Sequence, residues 1–245
     1  MRQATAVPHP LGSVAHAPDG SPATGSRLLA GLAPEDLRLL HPIERVRFAP
    51  RHTVFEPGDL LRHIYFPAGA VVSLLQVDRR GAMPEIMLVG ADGVAGVDQL
   101  LGADSALHRA VVRMGGDAFR VPLAGARRGF VESEAFRNRV LRFAELLIRH
   151  LSQSVVCKLS HTVEQQFCQR LLAYAEHAQR MPLELTHEQM AEALGSRRQG
   201  VTEAARRLQQ QRVIDYSRGR ISILDRAALE RAACDCYRVG RTAAG

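Results

Sequence analysis

The 245-residue sequence has no tryptophan, a single lysine (Lys158) and four cysteines. Nowhere does it run to the ~18 consecutive apolar residues that a membrane-spanning helix needs, so no membrane span is expected, and no membrane partner. The cysteines, Cys157, Cys168, Cys234 and Cys236, are too sparse for a disulfide scaffold and point to a reducing cytoplasm. The first 26 residues lack the apolar stretch of a secretory signal. No nucleophile–base arrangement, phosphate loop or paired-carboxylate motif stands out, which argues against an enzyme. Cys234 and Cys236 form a Cys-x-Cys pair with no two further ligands beside them in sequence. Cys157 and Cys168 fall on other helices, and the ten histidines show no metal-ligand pair spacing, so no metal is expected and the pair is read as terminal-helix packing.

What is present is a 46% hydrophobic chain, enough for one large or two ordinary domains with real cores. The formal net charge is +7, from 32 basic and 25 acidic residues. The bulk excess is mild and its arginine bias could reflect codon usage. Its distribution says more. Between Ser196 and Arg220 lie Arg197, Arg198, Arg206, Arg207, Arg212, Arg218 and Arg220, against only Glu203 and Asp215.

Along the chain, residues 1–26 are rich in Pro, Gly, Ser and Ala without apolar periodicity and read as a disordered tail. Ser26–Leu29 and Pro34–Leu37 read as short helical turns. From Ile43 to Pro122, short β-type runs (53–55, 63–66, 70–77, 85–89, 110–114) alternate with turn signals such as Pro57-Gly58-Asp59 and Gly115-Gly116. That spacing predicts an antiparallel barrel or roll. From Glu134 to Leu159 there is no Gly or Pro. Leu141, Ala144, Ile148, Leu151 and Val155 form one apolar stripe there, with Val140, Phe143 and Leu147 beside it. Two stripes give this helix two things to pack against; a broad core helix in a monomer and a helix that also meets a second copy of itself both remain open.

Three hydroxyl-x-x-Gln runs, Thr162–Gln165, Thr186–Gln189 and Ser196–Gln199, match the capping box and predict helix starts near 163, 187 and 197. Taking His187 as the first position of a helix-turn-helix, the fifth is the small Ala191, the ninth is Gly195 at the turn, and the fifteenth is Val201. Val201 would face a core made with Met190, Leu194, Ala205 and Leu208. Arg197 and Arg198 stand at the start of the second helix, as in a DNA-reading unit. Val213–Tyr216 and Ile221–Leu224 flank Ser217-Arg218-Gly219-Arg220, a hairpin suited to lie along a phosphate backbone as a wing.

The segment 185–202, the Tyr216–Gly219 hairpin and Cys234-Asp235-Cys236-Tyr237 resemble the Crp/Fnr family of bacterial transcription regulators. The run 54–59 with Tyr65-Phe66-Pro67 and Gly69 resembles the family's β-roll. The resemblance covers about residues 27–238. It implies an α+β chain with an N-terminal antiparallel, jelly-roll-like β-roll of the cyclic-nucleotide-binding type (27–133), a long dimerisation helix (134–160) and a C-terminal winged helix-turn-helix (161–240). It further implies a cytoplasmic homodimer that binds double-stranded DNA and, as an activator, RNA polymerase. Arg198 matches the family's guanine-reading position, and Gln199 and Glu203 are base-reading candidates, although Gln199 could be held in a capping box and Glu203 paired with Arg207. Arg197, Thr202, Arg218 and Arg220 are read as phosphate contacts that set register, and Ser196 and Thr186 are further DNA-contact candidates.

The effector end departs from the pattern. Where the family's cyclic-nucleotide site has Gly-Glu and an Arg before Ser/Thr-Ala, this sequence has Gly96-Val97-Asp98 and Arg109-Ala110. With Val97 at the glutamate position, the ribose anchor is missing and cyclic nucleotide is not expected. No cysteine precedes Cys157, so the oxygen-sensing branch's iron–sulfur cluster is not expected either. The rival reading is an effector-sensing module that acts through protein partners without sequence-specific DNA binding.

Overall fold

The structure is a computed structural model that describes residues 25–79, 82–178 and 181–241. The tail expected over 1–26 lies outside these residues except for Gly25 and Ser26, and Ser26 is fully buried. Contacts divide the chain into two compact units. One comprises the described residues up to Val72 together with Val89–Phe143; the other comprises Ser73–Leu88 and the described residues from Ala144 on.

In chain order the elements begin with α1 (Arg27–Ala30), α2 (Pro34–Leu39), β1 (Glu44–Phe48), β2 (Thr53–Phe55), β3 (His63–Pro67), β4 (Val71–Leu75), β5 (Glu85–Val89), β6 (Arg109–Met114) and β7 (Gly116–Pro122). The two sheets have strand orders β1-β7-β3 and β2-β6-β4-β5. Within the first, β7 pairs antiparallel with both neighbours, Val46 opposite Ala118 and Ile64 opposite Val121. The expected antiparallel roll is therefore present. Its strands follow the β-branched and aromatic runs, and its breaks follow the Gly and Pro signals.

Two helices follow, α3 (Leu123–Glu132) and α4 (Glu134–Ser160). Nothing in the sequence pattern above predicts α3. Ser133 separates the two helices, and its hydroxyl accepts from the Phe136 N–H at 3.0 Å, the usual way a short polar side chain starts a new helix. Arg139 then donates to the carbonyls of Arg27, Leu28 and Gly31 at 2.9–3.2 Å, tying the start of α4 to α1. Along α4 the stripes diverge. Val140, Phe143, Ala144 and Leu147 are buried within the chain, whereas Leu141, Ile148 and Val155 are exposed at 45%, 65% and 59%. Ala144 thus joins the covered face and leaves the stripe on which the spacing had put it.

The C-terminal unit continues with α5 (Val163–His177), β8 (Leu183–Glu184), α6 (His187–Leu194), α7 (Arg198–Gln210), β9 (Ile214–Ser217), β10 (Arg220–Ile223), α8 (Arg226–Ala232) and α9 (Cys236–Arg241). The small sheet runs β8-β10-β9. Phe167, Leu171, Leu172, Met190, Leu194, Val201, Leu208, Ile214 and Ile221 are among its fully buried residues. The described residues of the run Ser73–Leu88 belong to this unit, and Glu85 carries the connection. Its carboxylate pairs with Arg170 of α5 at 2.7 Å, accepts from Tyr174 Oη at 2.8 Å and also receives the Ser73 hydroxyl.

Candidate nucleic-acid interface

The interface is assembled from α6, α7 and the β9–β10 hairpin. Thr186 caps α6: its hydroxyl accepts from the Gln189 N–H at 3.2 Å while Gln189 Oε1 accepts from the Thr186 N–H at 2.9 Å. The Thr162–Gln165 box at the start of α5 closes in the same way. Helix α6 ends at Gly195, whose φ of 55° is the left-handed turn that only glycine adopts without strain.

The third expected box is not formed. The Ser196 N–H is used to close α6, bonding to the Ala191 carbonyl at 2.9 Å, so α7 starts one residue later with Arg197 at its N-cap. The Ser196 hydroxyl is buried without a hydrogen-bond partner among the described residues. Gln199 is correspondingly outside any capping box and exposed.

From that start, the 3.6-residue period divides α7 cleanly. Val201, Ala204, Ala205 and Leu208 are buried, as the register counted from His187 requires. The opposite, outward face, called the groove face below because it is the one a DNA groove would meet, presents Arg198, Gln199, Thr202, Glu203 and Arg206 together. Arg206 was not singled out from the sequence, although its position four residues after Thr202 and eight after Arg198 places it on the same face. Glu203 lies 4.0 Å from Arg207, the limit of an ion pair, and Arg207 is closer to Glu164 at 3.3 Å. The pairing of Glu203 with Arg207 is thus present at the longest distance of an ion pair, with Glu203 also on the outward face of α7.

The wing turn is tighter than the four residues Ser217–Arg220 expected for it. The strands pair Arg220 with Ser217, leaving only Arg218 and Gly219 in the turn, with φ of 50° and 76°. Both signs are those of the hairpin turn that favours Asn-Gly, so Arg218 sits where its backbone is locally disfavoured. Its side chain and that of Arg220 are exposed at the tip.

His187 joins these parts. Its ring stacks on Tyr216 of β9 with centroids 4.1 Å apart and 19° between planes, and its Nδ1 lies 3.0 Å from Thr202 Oγ1 on α7. Burial, then the charge of Arg198, push its pKa below the ordinary value.

The residues proposed for an effector sit differently. Arg109 on β6 is paired with Glu56 at 3.1 Å and lies 3.5 Å from Thr53 Oγ1. Val97 and Ala110 are buried, Gly96 begins a 3-10 turn over Val97–Gln99, and Asp98 accepts from the Leu107 N–H at 2.9 Å. The candidate phosphate-holding arginine already has a carboxylate.

The cysteines also rearrange the sequence picture. Cys157 and His161 lie beside Cys234 and Cys236, while Cys168 stands apart on α5, its thiol pushed up to about 12 by burial. The premise that the Cys-x-Cys pair has no further ligands nearby therefore does not hold in three dimensions.

Residues 165–232 match the family model of the Crp-like helix-turn-helix domain. The global nitrogen regulator of Synechococcus elongatus is 24% identical over 198 residues, 77% of this chain and 89% of that protein. Among solved structures, TTHA1359, a CRP/FNR-family transcriptional regulator of Thermus thermophilus, aligns with a TM-score of 0.65 at 21% identity, covering 78% of this chain and 98% of that one. FixK2 of Bradyrhizobium japonicum aligns at 0.68 and 12% identity, over 78% and 98% respectively. At such identities the structural likeness speaks for the fold. No helix among the described residues is long and apolar enough to cross a membrane.

Proposed function

We propose that this Crp/Fnr-type transcription regulator, with its helix-turn-helix DNA-binding domain, works as a cytoplasmic homodimer that reads a two-fold-related DNA site. The observation that carries the reading is the groove face of α7, where Arg198, Gln199, Thr202, Glu203 and Arg206 are presented together at the mouth of a capped helix-turn-helix. Arg198 reads guanine through O6 and N7, an interaction worth roughly 1–3 kcal/mol of discrimination, and Gln199 and Glu203 supply adenine- and cytosine-reading chemistry. Arg197, Arg218 and Arg220 contact phosphate and set register.

Dimerisation is supported by α4. Leu141, Ile148 and Val155 recur every seven residues and are exposed, with Val156 and Leu159 extending the apolar surface to 49% and 83% exposure. Two such helices packed together would set the α7 helices about one DNA turn apart, roughly 10 bp between half-site centres. The β-roll acts constitutively or on an effector other than a cyclic nucleotide, because the Arg109 guanidinium is held by Glu56 and Val97 offers no ribose acceptor.

Selection of bound sequences from a random DNA pool tests the proposal. A two-fold-related motif is expected, and Arg198→Ala relaxes it at one position per half-site. Binding weakens roughly a thousandfold or more between 50 and 200 mM salt. No recovered motif, with Arg198→Ala binding unchanged, overturns the reading in favour of a module that acts through protein partners.

A further inference from the structure

Four metal-ligating atoms converge where the end of α4 meets the turn between α8 and α9 and the first residue of α9. Cys157 Sγ lies 3.6 Å from Cys234 Sγ, and Cys236 Sγ lies 3.5 Å from His161 Nδ1. All four atoms are within 4.8 Å of one another, the three cysteines buried and His161 half-buried. We propose that Cys157, His161, Cys234 and Cys236 hold a single tetrahedral metal ion, Zn²⁺ by preference.

The spacing carries the inference. An ion bound by sulfur at ~2.3 Å and nitrogen at ~2.0 Å in tetrahedral geometry holds two sulfurs about 3.8 Å apart and a sulfur and a nitrogen about 3.6 Å apart. The two separations given above match that pattern. A disulfide would bring its sulfurs to ~2.05 Å. In an iron–sulfur cluster the ligands bind different irons and stand farther apart than one ion requires. Three sulfurs and one imidazole suit zinc, which takes Cys₃His as a closed structural set. The local chain geometry is suitable on both sides. Cys157 and His161 are four residues apart at a helix end and share one face, while Cys234 and Cys236 flank one residue in the turn that opens α9, where the Tyr237 N–H bonds to the Cys234 carbonyl at 3.1 Å. Gln153 Nε2 donates to Cys236 Sγ at 2.9 Å, the kind of outer contact that orients a thiolate ligand.

Neighbouring contacts say what the ion would clamp. Tyr237, next to Cys236, donates to Glu176 of α5 at 2.6 Å and accepts from Arg226 of α8 at 2.9 Å. Lys158, next to Cys157, donates to Gln166 at 3.0 Å and to the Leu194 carbonyl that ends α6. The ion would therefore fasten the C-terminal segment and the end of α4 to the helices that carry the helix-turn-helix. Metal binding itself does not depend on the DNA-binding reading; only its consequence for DNA affinity does.

The test uses the full chain, purified under reductant and reconstituted with Zn²⁺ or Co²⁺. About one metal per chain is expected by elemental analysis, and the cobalt form should show tetrahedral ligand-field bands with thiolate-to-cobalt charge transfer. Cys236→Ser and His161→Ala each lower metal affinity by about tenfold or more, while Cys168→Ser, which alters a buried thiol outside the cluster, leaves it unchanged. Wild-type protein that takes up under about a tenth of an equivalent under reducing conditions overturns the site. So does a Cys168→Ser variant that loses metal as Cys236→Ser does, or a Cys157–Cys234 disulfide whose reduction yields no metal-binding form. Stoichiometric metal in a protein that selects no DNA motif would leave the site standing and the regulator reading overturned.

Discussion

His187 stacks on Tyr216 at a centroid distance of 4.1 Å, so the first residue of α6 and the first wing strand share one aromatic contact. Through Nδ1 the same ring reaches Thr202 on the groove face of α7. One side chain thus spans three elements that a DNA duplex would meet together.

The folded protein favours the neutral form of this ring. The His187 pKa is depressed in the folded protein, by burial first and Arg198 second, so on acidification the unfolded chain takes up this proton before the folded one. Its contribution to stability is complete above the ordinary value of 6.5 and declines as pH falls below it towards the lower folded value. His187→Phe keeps an aromatic ring and removes the proton. The stability difference between wild type and His187→Phe is expected to change between pH 7 and pH 5, with wild type losing more; equal losses in urea melts at both pH values would refute it.

Ser196 supplies a second test. A hydroxyl that capped α7 would cost about 1 kcal/mol when removed. Because this hydroxyl is buried without a partner, Ser196→Ala is expected to fall within roughly 0.5 kcal/mol of wild type or to stabilise slightly. DNA affinity should be unchanged. A loss of about 1 kcal/mol in chemical denaturation would restore the capping role.

Features that depend on neighbouring residues alone were legible in the sequence. The caps of α5 and α6, the glycine turn at Gly195 and the buried stripe of α7 each follow from side chains within one or two turns. Ser196 failed because two local rules competed for one residue, and the end of α6 took its N–H. The two stripes of α4 were visible, but which one the chain covers depends on tertiary packing, and Ala144 went with the covered side. The cysteine–histidine cluster and the Glu85–Arg170 pair were not legible for a plainer reason. Their members come from distant segments, and neither the spacing of Cys157 and His161 nor that of Cys234 and Cys236 announces the other half. Only the four-residue step from Cys157 to His161 was a usable signal.

Glu85 makes the cost of such a distant contact measurable. Its side chain is fully buried and Arg170 is only 12% exposed. Removing one partner of a buried pair typically costs about 3–5 kcal/mol, since the remaining charge loses its compensation. Glu85→Ala is therefore expected to lower Tm by roughly 6–20 °C, at about 2–4 °C per kcal/mol for a chain of this size. Glu85→Gln, which keeps the shape and an acceptor for Tyr174, should cost less. Equal and small losses in scanning calorimetry would mean that the pair is not structural.

Helix α4 separates folding from association. Ile148 is 65% exposed and Val140 is fully buried. Ile148→Glu should leave the fold intact and shift the protein from dimer to monomer in sedimentation velocity, because a charge in an apolar seam is left unpaired on association. Val140→Glu should instead unfold the chain. A folded Ile148→Glu dimer would remove this stripe from the interface.

Arg218 tests the wing with its conformation held. Its φ of 50° is a region in which most side chains cost about 1–2 kcal/mol and asparagine is better tolerated, and the Gly219 after it completes an Asn-Gly type turn. Arg218→Asn should therefore fold at least as well as wild type, with Tm unchanged or raised by a few degrees. If the wing lies on the phosphate backbone, the same substitution weakens binding to specific and scrambled duplexes alike and lowers the slope of log affinity against log salt by about one. Loss of a base contact changes which sequence is preferred, whereas loss of a phosphate contact changes affinity for all of them. An Arg218→Asn protein of normal stability that binds DNA with unaltered affinity and salt slope would show that the arginine at this locally disfavoured position does not touch the duplex.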